Sequence, residues 1–134
     1  MPSESTNRLS GSCLCGAVSL AMIPDRPVVA CHCKQCRKQT GHFVAATRTA
    51  NDQLTVSGAD NITWYASSDS AERGFCRHCG SVLFWRSKDS TRTSVMAGCL
   101  EAPTGLVVER HIYTRDKGDY YQIDPEALCF PQSD

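Results

Sequence analysis

Nine cysteines in 134 residues, seven of them packed into three short clusters, constrain this chain more than any other feature. The clusters read "CLC" (Cys13, Cys15), "CHCKQC" (Cys31, Cys33, Cys36) and "CRHCG" (Cys76, Cys79). A Cys-x-x-Cys turn points two sulfurs at one ion, and Gly80 supplies the open φ that such a knuckle needs. Cys-x-Cys also chelates where an irregular backbone brings both side chains to one side. The plainer alternative treats these residues as small buried hydrophobes. It leaves two adjacent knuckles unexplained.

Metal binding or disulfide pairing is a question of compartment. The opening residues, "MPSESTNRLSGS", hold no apolar core and no cleavage pattern, so no secretory signal is read. No run approaches the roughly 18 apolar residues of a membrane span. The expectation is a cytoplasmic chain with reduced thiols, in which clustered cysteines serve as metal ligands or catalytic groups. Fourteen basic and fourteen acidic side chains give a formal net charge of zero. That balance argues against nucleic acid or an anionic membrane as partner. The sequence does not fix the oligomeric state.

Short runs rich in Val, Ile, Thr, Tyr and Trp follow one another, each bounded by Gly, Pro, Ser or Asp. They are "AVSLAMI", "PVVACHC", "HFVAATRT", "QLTVSG", "NITWYAS", "SVLFWRS", "TSVMAG" and "GLVVERHIY". This pattern predicts an all-β fold of many short antiparallel strands. No window sustains helical periodicity for three turns, although "CRKQT" (36–40) suits one helical turn. Residues 1–10 are expected to form a disordered tail and 11–130 a single zinc-binding domain. The aromatic content of 7% implies a modest core. Metal commonly staples such cores.

Two partitions of the cysteines are open. Cys33, Cys36, Cys76 and Cys79 would make an ordinary zinc ribbon and leave three cysteines over. Alternatively, Cys13, Cys15, Cys76 and Cys79 close a four-thiolate site, while Cys31, Cys33 and Cys36 form a three-thiolate site with one free position. Structural zinc sites are closed and catalytic ones keep a vacancy, so the second partition implies chemistry. Spacing favours it only mildly.

The segments "GSCLCGAV", "CHCKQCRKQTG", "RGFCRHCGSVLFW" and "HIYTRDKGDYYQI", in that order, closely resemble the glutathione-dependent formaldehyde-activating enzyme family, which includes the centromere protein V domain. The resemblance spans about residues 11 to 124 and implies an all-β, Mss4-like (β-tent) fold with two zinc ions. Carried over by motif, Cys13, Cys15, Cys76 and Cys79 match the structural site, and Cys31, Cys33 and Cys36 the catalytic one. The resemblance thus selects the second partition. The implied reaction is that of a carbon–sulfur lyase: reversible combination of glutathione and formaldehyde to S-hydroxymethylglutathione.

An open three-thiolate zinc suits that reaction. It is a poorer Lewis acid than zinc held by neutral histidines, yet it holds an incoming thiol as thiolate. A free thiol with a pKa near 8.5 is only a few per cent ionised at neutral pH. Glutathione brings two carboxylates, so Arg37, Lys38 and Arg48 are candidate anchors. Thr40 and Gly41 are candidates for the pocket wall. His32 and His78, inside the cysteine turns, are expected to point outward. His42 is a candidate proton relay, and His111 matches a family position whose role the motif leaves open. Cys99 stands where the family more often has serine, and it reads as a small buried residue; Cys129 has no assigned role. Gly118 and Tyr120 replace the family's more usual Pro and Trp, which would alter substrate shape if that segment borders the pocket. The competing function is a zinc-stabilised binding module of the centromere protein V type. Such relatives are expected to bring long basic or Pro-rich extensions, which this chain does not contain.

Overall fold

The computed structural model describes residues 8–133. It contains ten strands, β1 (Leu9–Ser12), β2 (Ser19–Met22), β3 (Pro24–Cys31), β4 (Val44–Ala50), β5 (Thr55–Ser57), β6 (Ile62–Ala66), β7 (Ala71–Cys76), β8 (Val82–Ser87), β9 (Arg92–Met96) and β10 (Val108–Ile112). One α-helix, α1 (Lys34–Thr40), and a few short 3-10 turns complete it. The all-β expectation holds. Of the proposed tail, residues 1–7 lie outside the described residues, whereas Leu9 and Ser10 already belong to β1. Among the described residues no helix is long and apolar enough to cross a membrane.

The strands form a small sheet in the order β1-β2-β5 and a large one in the order β10-β3-β4-β9-β8-β7-β6. Neighbours pair antiparallel with one exception, β10 beside β3, which is parallel. This departs from the purely antiparallel expectation for a topological reason. Parallel neighbours need a long crossover, and here the whole stretch from β4 to β9 lies between them.

Two apolar layers use the two faces of the large sheet. Val18, Leu20 and Met22 of the small-sheet region pack with Leu83, Phe84 and Val95 of the large sheet, and all six are under 5% exposed. This is the core between the sheets. The opposite face carries a smaller cluster of Cys36, Val44, Ala46 and Met96, with Val82 and Trp85 against it. Along β9 the change of face is one residue wide, Val95 to the core and Met96 to the other side, as the two-residue period of a strand demands.

Strand β3 is irregular where it pairs with β4, with register shifts between Pro24 and Arg26 and between Arg26 and Val29. Two buried threonines of β4 repair the ladder. Thr47 Oγ1 donates to the Arg26 carbonyl at 2.7 Å and Thr49 Oγ1 to the Ile23 carbonyl at 2.8 Å. Both hydroxyls thereby supply donors that a bulged backbone has lost. The sequence break at Pro24-Asp25 follows the end of β2 at Met22 and opens β3, with Pro24 at its first position.

Candidate metal centres and the cavity between the cysteines and the sheet

The sulfurs of Cys13, Cys15, Cys76 and Cys79 lie within 4.8 Å of one another, and those of Cys31, Cys33 and Cys36 form a separate group by the same measure. The ribbon grouping of Cys33 and Cys36 with Cys76 and Cys79 does not occur.

The four-cysteine group joins two distant parts of the chain. Cys13 and Cys15 sit in the turn between β1 and β2, while Cys76 ends β7 and Cys79 lies in the turn to β8. Each turn is closed by its own backbone: Gly16 N–H reaches the Cys13 carbonyl at 3.2 Å, and Gly80 N–H the Cys76 carbonyl at 2.8 Å. Gly16 and Gly80 have φ of 84° and 81°, the left-handed conformation that lets each knuckle turn back. Backbone N–H groups of Val18 and His78 donate to the Cys13 and Cys76 sulfurs at 3.3 and 3.4 Å. The Ser81 hydroxyl lies 3.2 Å from the Cys79 sulfur, and that contact is the foremost of several that pull the thiol down to about 5. Zinc–sulfur bonds of about 2.3 Å in a tetrahedron place neighbouring sulfurs roughly 3.8 Å apart. The Cys13–Cys15 and Cys15–Cys76 pairs stand at 3.7 and 3.8 Å, so this donor set fits zinc.

The three-cysteine group is built differently. Cys31 is the last residue of β3, and Cys33 caps α1, its sulfur accepting from Cys36 N–H at 3.3 Å. The helix runs from Lys34 to Thr40, longer than the single turn expected, and ends on Gly41 with φ of 88°. Cys36 is its buried residue. The thiols are crowded: contacts with Cys31 and Cys36 push Cys33 down to about 2, and contacts with Cys33 and Cys36 push Cys31 up. Three soft donors on one side of a cavity also fit zinc.

That cavity has a volume of about 700 Å³, within the range of roughly 300–1,000 Å³ usual for small-molecule sites. The three cysteines line it together with apolar side chains of the large sheet, among them Val29, Val44, Trp85 and Met96. Arg26, Lys34 and Arg73 bring positive charge, and Tyr113 and Asp116 bring proton-exchanging groups. Tyr113 has φ of 56°, a conformation rare outside glycine, and such outliers gather at functional sites.

Several expected contacts lie elsewhere. Arg37, Lys38 and Arg48 are not among the residues lining the cavity. Arg48 instead pairs with Asp25 at 2.9 Å. Thr40 closes the helix, donating to the Cys36 carbonyl at 2.8 Å, and Gly41 turns the chain, its N–H reaching the Arg37 carbonyl at 2.9 Å. Neither lines the cavity. The tyrosine-rich segment with Gly118 and Tyr120 is likewise absent from the wall and packs on the other side of the cysteine loop.

His32 overturns its outward expectation. It is fully buried, since alternation past β3 sends its neighbours Cys31 and Cys33 to the cavity and His32 to the opposite side. There its Nδ1 meets the Tyr121 hydroxyl at 2.5 Å and its Nε2 meets His111 Nδ1 at 2.9 Å. Burial, reinforced by His111, His42 and Lys117, pushes His32 down to about 4, so it packs as a neutral ring. His111 thus has a hydrogen-bonded packing role, and burial lowers its pKa too. His78 is exposed, with Asn61 Oδ1 2.9 Å away, and His42 is exposed against the Tyr120 hydroxyl at 2.7 Å. Cys99 packs half-buried against the core, and burial pushes its thiol up to about 11. Cys129 is exposed.

A profile of the family described as glutathione-dependent formaldehyde-activating enzyme matches residues 8–116. The chain belongs to this family. Among its relatives, a Schizosaccharomyces pombe protein named as an uncharacterized lyase is 40% identical over 123 residues, covering 90% of this chain and 88% of its own. A Halomonas elongata protein, whose name assigns it provisionally as a glutathione-dependent formaldehyde-activating enzyme, is 29% identical over 138 residues, with 91% and 86% covered. The crystal structure of a Rhodobacter sphaeroides protein shares the fold at 22% identity. Its TM-score is 0.62, covering 90% of this chain and 98% of that one.

Sequence reasoning missed Arg73. It is 4% exposed, and it donates from both terminal nitrogens to the Cys36 sulfur at 3.6 and 3.7 Å. The surrounding "AERGFC" is not among the runs that predict strands, and Arg73 enters the sequence reading only within the motif "RGFCRHCGSVLFW", with no role assigned.

Proposed function

We propose that this protein is a zinc-dependent carbon–sulfur lyase that combines a small thiol, glutathione in the first instance, with formaldehyde and reverses that step. The observation that carries the reading is the incomplete ligand set. Cys31, Cys33 and Cys36 face a cavity of substrate size, whereas the other four clustered cysteines form a group of their own. In this reading Cys13, Cys15, Cys76 and Cys79 hold a structural zinc and Cys31, Cys33 and Cys36 a second one. When bound there, zinc would supply the acidity that ionises a thiol at neutral pH.

The reaction joins the thiol sulfur to the carbonyl carbon, and the thiol proton ends on the former carbonyl oxygen. The chain's own side chains divide the remaining work. Val29, Met96 and Trp85 give the cavity apolar walls that limit water and keep the small aldehyde near the sulfur. Arg26 and Lys34 lie where they can attract the carboxylates of a glutathione-like thiol. Asp116 and Tyr113 are the wall residues suited to hand the proton across.

The test measures zinc content and thiol-dependent formaldehyde consumption on one sample. About two zinc ions per chain and consumption only when glutathione is present are expected. Formaldehyde loss that ignores the thiol, or protein with no metal at Cys31, Cys33 and Cys36, would remove the reading.

A further inference from the structure

Arg73 presents an electrostatic problem. Its guanidinium is buried, yet among the described residues no carboxylate lies within ion-pair distance of it. Its terminal nitrogens donate to the Gln39 and Gln35 side-chain oxygens at 3.3 and 3.4 Å, which orients the fork without neutralising it. Its Nε is buried without a partner. A guanidinium is always charged, and burying it unpaired is strongly unfavourable. The groups in reach that can carry the opposite charge are the clustered cysteine sulfurs: both terminal nitrogens touch the Cys36 sulfur, and the guanidinium also favours the thiolate of Cys33 through space.

The architecture holds this pair in place from both sides. Helix α1 offers Gln35, Cys36 and Gln39, and β7 delivers Arg73 from across the cavity. Along β7 Gly74 and Cys76 face the core with Trp64, while Arg73, one residue off in phase, faces the cysteine cluster.

We propose that Arg73 is the counter-cation of the three-cysteine site, neutralising the Cys36 thiolate so that the site accepts an anionic fourth group, the thiolate of the substrate, over a neutral one. The proposal rests on the reading of Cys31, Cys33 and Cys36 as zinc ligands. A divalent metal with three thiolates is net negative, and a fourth thiolate adds to that charge. In a low-dielectric cavity the added repulsion is large, and a fixed guanidinium against one ligand offsets it. A neutral ligand feels almost none of this. Arg73 is a positioning residue, acting through Cys36.

The experiment compares wild-type protein with Arg73→Gln and Arg73→Lys after cobalt replaces zinc. Each is titrated at one pH with 2-mercaptoethanol, which has no carboxylate, and with imidazole, a neutral ligand, while the visible spectrum is followed. Arg73→Gln should weaken 2-mercaptoethanol binding by roughly 10–100-fold, the range typical of groups that support metal ligands. Imidazole binding should change by less than about threefold, and Arg73→Lys should recover much of the preference for thiol. Equal weakening of both ligands would mean that Arg73 only packs, and unchanged thiol binding would mean that it does not neutralise the site. Either result overturns the proposal. Should Arg73→Gln fail to fold, Arg73→Lys decides, because a thiol preference lost although the charge is kept contradicts charge compensation. A wild-type protein with no thiol-dependent spectral change would instead bring down the zinc–thiol reading, and this proposal with it.

Discussion

The two cysteine clusters use the same side chain for different ends, and the difference lies in what the backbone does around them. The four-cysteine group is assembled from two turns that come from different sheets, so it ties the β1–β2 turn to the β7–β8 turn. Backbone N–H groups and Ser81 surround its sulfurs. Nothing there opens onto the large cavity. The three-cysteine group comes from one strand end and one short helix, within six residues, and brings no distant segments together. It faces a cavity and a buried arginine instead. A cluster that closes a long loop works as a staple, whereas one that closes a short loop adds little to stability and is free to serve chemistry.

The largest effect should come from removing one thiol from each cluster. Cys79→Ser should abolish the folded state, since metal-dependent folding energy at a closed site is roughly 10–16 kcal/mol. Cys36→Ser should keep a β-rich circular dichroism spectrum, hold about one zinc per chain, and lose thiol-dependent formaldehyde consumption. Equal loss of fold in both would erase the distinction between the clusters.

A smaller effect sharpens the contrast within a single strand. A Cβ on Gly74 would meet the Trp64 ring at 2.9 Å, and that ring stacks on Phe84 with centroids 5.9 Å apart. Gly74→Ala should therefore cost about 1–3 kcal/mol through overpacking, seen as a lower Tm. It should leave thiol binding at the three-cysteine site unchanged, because its contacts lie on the core face of β7. A change in thiol affinity as large as the change in stability would show that the two faces are not independent.

A comparable effect, expressed only at acidic pH, concerns the far side of the cysteine loop. His32 is depressed to about 4 in the folded chain against about 6.5 when unfolded, so the unfolded state binds the proton first as pH falls. Its contribution, on the order of 3 kcal/mol, is complete above pH 6.5 and is lost as pH drops toward 4. Imidazole resonances should show His32 neutral at pH 5.5 in the folded protein. A charged ring at that pH would mean that His32 is not sealed behind the cluster.

The three cysteine clusters were legible because ligand spacing is local chemistry, but spacing left their partition open and the family motifs selected it. The β-rich fold was legible for a related reason, since most strands advertise themselves by β-branched and aromatic runs. Strand β7 did not, because "AERGFC" carries its buried charge on the cavity face and a glycine where Trp64 needs room. The cations chosen from sequence, Arg37, Lys38 and Arg48, lie off the cavity wall for reasons of direction rather than of chemistry. Lys38 stands two residues past Cys36, which on a helix turns it by about 200°, and Arg48 is occupied by Asp25. Arg73, separated from Cys36 by 37 residues, arrives only through sheet pairing. Likewise, His32 looked outward because a turn was assumed where a strand's alternation continues.

The central claim is that the three-cysteine site keeps a place for a thiol, and cobalt-substituted protein tests it most directly. Glutathione should add a thiolate-to-cobalt charge-transfer band and release about one proton on binding, since the thiol must ionise to ligate. S-methylglutathione keeps the carboxylates and peptide frame but has no ionisable thiol, so it should bind more weakly, with no new band and no proton released. Equal binding of the two compounds, with an unchanged spectrum for both, would contradict the account.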